Sequence, residues 1–170
     1  MSLPKTAVIK IVSLEEGTHL IFRHNIAGLS IFKRLILSLQ RASIENFIII
    51  AQDIPTSDMQ WVKSDIQNDL RFKSNIKWNN MSKNVSEDEL MLIDSSLGND
   101  NILFVESNLV TTSGLVKDFL MATQGLHTGE AAGLFNEAGQ SDGIYLLPFS
   151  DIRKYLYLGV FEKPLNHITL

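Results

Sequence analysis

Cysteine is absent from all 170 residues. That removes disulfides, thiolate metal sites and cysteine nucleophiles together, and it suits a reducing cytoplasm, the expected location. Long apolar runs are missing too. The most continuous stretches, such as Phe47 to Ala51, fall far short of the ~20 residues that span a bilayer, and the N-terminus carries no signal-peptide core. Nor is there a basic excess. Lys and Arg number 15 against 19 Asp and Glu, a net charge of −4, and no basic run offers a phosphate-tracking face, so nucleic acid is not an expected partner. The GxxxxGK[ST] phosphate loop, the GxSxG nucleophile elbow and the HExxH zinc helix are all lacking. The four histidines, His19, His24, His127 and His167, are scattered. Each alone reads as a surface or loop residue.

What is present is an ordinary globular composition, 45% hydrophobic and 20% charged, sufficient for one domain with a full core over residues 1–170. The pattern alternates. An apolar strand is expected over Ala7–Ser13, buried on both faces as in parallel sheets. A helix follows from about Ser30 to Ala42, with Ile31, Phe32, Leu35, Ile36 and Leu39 at helical spacing. Asn46–Gln52 is the next strand, closed by turn chemistry at Asp53 and Pro55. A second helix is capped by Thr56 or Ser57 and buries Met59, Val62, Ile66 and Leu70. A weaker strand is expected at Asn75–Asn79. A third helix opens on the capping box Ser86–Glu89, buries Leu90, Ile93 and Leu97, and stops at Gly98. Asn101–Glu106 is a strand, Ser113–Gln124 a helix, Gly143–Leu147 a strand, and Asp151–Leu158 a last helix capped by Ser150. The glycine-rich region 125–143 breaks the alternation, and an antiparallel strand fits there. Strands alternating with helices predict an α/β, Rossmann-like three-layer sandwich with a mainly parallel central sheet and helices on both faces.

Four segments together resemble a known family. From Val12 the chain reads VSLEEGTHL, where the sugar-nucleotide and polyol-phosphate nucleotidyltransferases carry LAAGxGxRL. Ile26–Arg34 stands where that family has its v-x-G-x-P-l-i-x-r segment. Leu39–Ile50 is similar to its l-x-x-A-G-i-x-x-i-v-v-v, and ILFVESNLV from Ile102 resembles its metal-site strand f-l-v-x-x-x-D-h-v. Ser141–Leu147 is similar to x-t-G-i-Y-x-f. The resemblance covers most of residues 7 to 158 and rests on the order and spacing of the segments.

The resemblance implies a nucleotide-diphospho-sugar transferase-like fold, a nucleoside triphosphate as ligand and magnesium as cofactor. It implies a nucleotide-binding loop of Ser13, Leu14, Glu15, Gly17, Thr18 and His19, with Arg23 or His24 supplying the downstream basic residue. The implied metal positions are Glu106, Asn108 and Asp142. Departures from the pattern define the expected function. Glu15 stands at the first glycine and His19 at the phosphate-binding arginine. A carboxylate about 4 Å from a phosphate charge costs ~4 kcal/mol at an effective dielectric of 20, if Glu15 points inward; pointing outward, Glu15 and Glu16 are solvated loop charges. Asn108 replaces the magnesium aspartate, and a neutral amide is a poor sole anchor for a hard dication. Glu106 either substitutes for it or is a strand-end carboxylate in water. Catalysis in such a site is positioning plus charge neutralisation. The expectation is therefore a degenerate domain that binds nucleotide weakly or acts by regulation, linked to polyol-phosphate or phospholipid metabolism. The alternative is an active magnesium-dependent enzyme moving CMP or another nucleotidyl group onto a sugar or polyol phosphate. Some family members are fused to a membrane-embedded CDP-alcohol phosphatidyltransferase. The abrupt end at Leu170 fits a module cut from such a chain, at the cytoplasmic face of a membrane. A dinucleotide binder is disfavoured because GxGxxG is missing after the first strand. Asp53 does sit after the second strand, but Asp53-Ile54-Pro55 reads more simply as a turn.

Overall fold

The chain opens with β1 (Thr6–Val12). A short 3-10 turn at Ile21–Arg23 leads into a hairpin of β2 (Asn25–Ile26) and β3 (Leu29–Ser30), then α1 (Ile31–Arg41). There follow β4 (Asn46–Gln52), α2 (Thr56–Gln67), β5 (Asn75–Met81) and β6 (Asn101–Glu106). The remainder is α3 (Ser113–Ala122), β7 (Ala132–Phe135), β8 (Ser141–Pro148), α4 (Phe149–Leu158) and β9 (Asn166–Ile168). These elements come from a computed structural model, which describes residues 3–12, 21–82, 86, 88–89, 101–107, 109–127, 129–158, 161 and 164–170.

One sheet has the order β5-β4-β1-β6-β8-β7-β9. β5, β4, β1 and β6 run parallel; β8 is antiparallel to β6, and β7 to β8. β1 is thus flanked by β4 on one side and β6 on the other. The chain builds outward from β1 in one direction and then in the other, and the ligand crevice of such sheets opens outside the carboxyl ends of the strands at that switch point.

The sequence explains this placement. β4 reads NFIIIAQ, and its five inner residues are all buried, as a strand covered on both faces requires. β5 carries Asn75, Lys77, Asn79 and Asn80 and takes the edge, where polar side chains meet water. Alternate residues feed two cores. Ile9, Ile11, Leu103, Val105, Ile144 and Leu146 pack with α1, α2 and α3. Val8, Ile102, Phe104, Tyr145 and Leu147 pack with Phe149, Ile152 and Leu156 of α4. Helices on both faces of a mostly parallel sheet give the three-layer α/β sandwich that the alternation predicts.

Local chemistry sets the element ends. Ser30 is the cap of α1, not its first residue: its Oγ accepts from Lys33 N at 3.1 Å, an interaction worth about 1 kcal/mol. The β2–β3 hairpin turns through Ala27 and Gly28 at φ 49° and 78°, the paired positive angles of a two-residue hairpin turn. Ser86 N donates to Glu89 at 2.8 Å while Glu89 N donates to Ser86 Oγ at 3.3 Å, which is the expected capping box. Leu90, Ile93, Leu97 and Gly98 lie outside the described residues.

Several expectations are corrected. Neither Thr56 nor Ser57 caps α2; the cap position is Pro55, which has no side-chain donor or acceptor to offer. Leu70 is 88% exposed, because α2 ends at Gln67 and the stripe ends with it. β5 runs two residues beyond the expected Asn79. α3 stops at Ala122 and tightens into a 3-10 turn at Thr123–Gly125. β8 starts at Ser141 and includes Pro148, and α4 begins directly at Phe149, ahead of Ser150. The β2–β3 hairpin and β9 have too few residues for periodicity to find them.

Candidate functional site at the carboxyl edge of β1 and β6

Lys10 and Glu106 are register partners on the adjacent parallel strands β1 and β6. Both therefore leave the sheet on the same face, that of α4. The antiparallel pairing of β6 with β8 matches Val105 to Ile144, so the next step brings Glu106 opposite Gly143. Gly143 has φ +73°, and a Cβ there would meet Glu106 Oε2 at 3.3 Å and Glu106 Cβ at 3.4 Å. The position needs glycine for its backbone angle and for the approach of the carboxylate.

Tyr155 of α4 covers this pair. Its Oη donates to Glu106 Oε1 at 3.3 Å, and its ring centroid lies 5.0 Å from Lys10 Nζ, within reach of a cation–π contact. The ring stacks on Phe161 at 4.3 Å and meets Phe104 edge-on at 5.2 Å. Beside it, Ser141 Oγ donates to Tyr145 Oη at 2.6 Å and accepts from Gly143 N at 3.0 Å. Burial pushes the Lys10 ammonium below the usual lysine range, and the Glu106 charge opposes that only in part. Both phenols are pushed up, chiefly by burial and further by Glu106, while the Ser141 hydrogen bond works the other way on Tyr145. Tyr155 and Tyr145 accordingly stay protonated and neutral at ordinary pH.

The structure brings only part of the expected site together. Ser13, Leu14, Glu15, Gly17, Thr18, His19 and Asn108 lie outside the described residues. Glu106 ends β6 and Asp142 is the second residue of β8, so antiparallel pairing sets both at the same edge of the sheet. Arg23 is already engaged: its guanidinium is 2.5 Å from Asp58 and 4.6 Å from the ring of Trp61, which ties the turn before the hairpin to α2. His24 is exposed, and its carbonyl accepts from Ile31 N at 2.8 Å. Asp53 sits at φ 56° with its N–H on Met81 O at 3.3 Å, the turn that its sequence suggests.

A divalent ion does not fit this cluster as the resemblance implies. Among the described residues no group of three or more His, Asp or Glu side chains is placed to hold one. One Glu106 oxygen already accepts from Tyr155, and Lys10 is its register partner on the same face of the neighbouring strand. A dication and an ammonium held ~6 Å apart repel by about 5 kcal/mol at an effective dielectric of 20.

Sequence reasoning missed Lys10, Tyr155, Tyr145 and Ser141. For Lys10 a signal exists: it is the one charge inside TAVIKIV, a run otherwise fit for burial on both faces. Tyr155 sits in a helix with no motif around it, and only the packing of α4 reveals its partner.

No protein-family model matches this sequence, and no curated protein sequence does. Solved structures do resemble it. The inositol-1-phosphate CTP transferase of T. maritima superposes with a TM-score of 0.62 at 8% identity, over 99% of this chain and 86% of that one. A CMP:2-keto-3-deoxy-manno-octonic acid synthetase complexed with CTP gives 0.63 at 11% identity, over 98% and 90%. A Mycobacterium tuberculosis H37Rv protein in complex with manganese gives 0.65 at 7% identity, over 99% and 89%. Identities this low establish the fold alone. It is the nucleotide-diphospho-sugar transferase fold, shared with nucleotidyltransferases. Among the described residues no helix is long and apolar enough to cross a membrane.

Proposed function

We propose that this chain is a nucleotidyltransferase-like domain that holds a nucleoside triphosphate weakly at the carboxyl edge of β1 and acts by binding or regulation. Its setting is polyol-phosphate or phospholipid metabolism in the cytoplasm, with a fused or associated membrane transferase as its partner. The observation that carries this reading is the state of Glu106. The carboxylate that would have to anchor magnesium is met by a tyrosine hydroxyl and has Lys10 as its register partner on β1. The loop sequence supports the same reading, with Glu15 and His19 at the positions of a glycine and an arginine. That a similar fold has been solved with CTP supports the choice of ligand class.

Thermal unfolding with CTP, GTP, ATP and UTP, each with and without magnesium, tests the proposal. A nucleotide at ~100 times its dissociation constant stabilises by about 2.7 kcal/mol. The proposal expects a shift with at least one nucleotide and no release of pyrophosphate when polyol or sugar phosphates are added. Absence of a shift with all four would refute it.

The second reading is an active magnesium-dependent nucleotidyltransferase. It is favoured by one feature, the common edge of Glu106 and Asp142. It expects magnesium-dependent pyrophosphate release that disappears in Glu106→Gln. If the resemblance sets these positions correctly, Asn108→Asp combined with Glu15→Gly should raise the affinity for magnesium nucleotide; unchanged affinity would count against that correspondence.

A further inference from the structure

We propose that the Lys10 ammonium is the resident cation of this sheet edge, standing beside Glu106 in place of a divalent ion, so that a nucleotide bound there needs no metal. The statement about the nucleotide rests on the function proposed above; the statement about the cation does not.

The geometry closes around Glu106 from three directions. From the β1 side, Lys10 is its register partner, and the two share one face of the sheet. From above, Tyr155 donates to Oε1 at 3.3 Å and lays its ring 5.0 Å from Lys10 Nζ. From the side, the backbone of β8 approaches so closely that a Cβ on Gly143 would stand 3.3 Å from Oε2. Phe104 and Phe161 hold the Tyr155 ring in place. Magnesium asks for six oxygens in near-octahedral array, several of them water. The space around this carboxylate is instead taken by a phenol, an ammonium stem and a neighbouring strand.

Lysine suits the role chemically. It carries a compact point charge on a four-carbon stem, and its methylenes can lie in apolar surroundings while the head reaches a polar partner. A charge inside a strand flanked on both sides is costly unless it is paired. Here the opposite charge on the same face of the neighbouring strand is Glu106, and the Tyr155 ring gives the cation a direct favourable contact. The edge thus keeps a positive centre near the switch point without recruiting one from solution.

Manganese serves as the probe ion, with the intact chain and the free-ion signal followed by electron paramagnetic resonance. Wild type and Glu106→Gln should bind manganese equally poorly. Lys10→Met removes the ammonium and keeps the stem, and should bind one manganese at least ~10-fold more tightly than wild type, the repulsion between the two cations being relieved. Adding Glu106→Gln to Lys10→Met should abolish the gain. The proposal is overturned if wild type binds manganese and loses it in Glu106→Gln, or if folded Lys10→Met shows no gain. Should Lys10→Met fail to fold, the wild type and Glu106→Gln pair still decides. A second arm measures CTP binding by calorimetry in EDTA and in magnesium. Equal affinity supports the proposal, and binding that appears only with magnesium overturns it. Absence of CTP binding in both buffers defeats the function proposed above, and the manganese arm then judges the cation by itself.

Discussion

The two faces of the sheet finish differently at the carboxyl edge. On the face under α1, α2 and α3, the strands stay apolar through Ile11, Val105 and Ile144, all fully buried, and only Asp142 at the start of β8 is polar there. On the face under α4, the same three strands begin alike, with Val8, Phe104 and Tyr145 packed in the second core. They then turn polar, to Lys10 on β1, Glu106 on β6 and the bare backbone of Gly143 on β8. The first face packs the helices onto the sheet. The second gives up burial at one spot, and a charged pair costs desolvation that two aliphatic side chains would not. That contrast marks the α4 face as the place of the proposed site.

The contrast fails if the two faces respond alike to mutation. Phe119 of α3 is fully buried under the apolar face. Its truncation, Phe119→Ala, should cost about 3–5 kcal/mol, read as a fall in the urea midpoint. On the other face, replacing the pair together by Lys10→Met and Glu106→Gln should cost less than about 1 kcal/mol, because no unpaired charge remains. Lys10→Met alone should cost more than the double variant. Comparable losses for Phe119→Ala and the double variant would mean that the polar edge is part of the core. An effect smaller than that of Phe119→Ala but larger than that of the double variant is expected at Gly143→Ala, about 1–3 kcal/mol, since φ +73° and the Glu106 carboxylate both oppose a side chain. Glu106→Ala should recover part of that loss and leave the rest, which belongs to the backbone angle. Full recovery would show that contact alone explains the glycine.

The smallest effect lies off both faces and serves as a control. Glu89 accepts from the N–H groups of Ser86 and Ser82, which hold its carboxyl down at about 2. A depressed carboxyl contributes stability above its unfolded value of 4.5, and the contribution disappears as pH falls through about 2. Glu89→Ala should therefore cost about 0.5–1 kcal/mol near neutral pH. The gap from wild type should close on acidification to about 2, followed by urea unfolding across pH. A gap independent of pH would show that the carboxylate is not the cap.

What the sequence made legible follows the same division. The apolar face speaks through periodicity. Ile31, Phe32, Leu35, Ile36 and Leu39 mark α1, and the run Asn46–Gln52 is a strand with the bounds expected of it. These residues act by being apolar and evenly spaced, which is what a single sequence displays. Leu70 fails as a buried residue because spacing continues past the point where α2 stops. The polar edge is nearly silent in comparison. Glu106 and Asp142 stand out as acidic residues at strand ends. Tyr155 reaches Glu106 across 49 positions of chain, and nothing local to Tyr155 announces it. Lys10 was visible as a charge in a buried strand, yet its meaning depends on Glu106 standing at the same level of the neighbouring strand. The resemblance to nucleotidyltransferases gave the fold through the order of its segments. It could not show how Glu106 is surrounded, since that depends on α4.

The proposed nucleotide site works on fixed charge. Calorimetric titration of the intact chain with CTP, once in EDTA and once in excess magnesium, addresses this most directly. The expected result is weak saturable binding with the same affinity in both buffers. Binding confined to the magnesium buffer, or none in either, would contradict it.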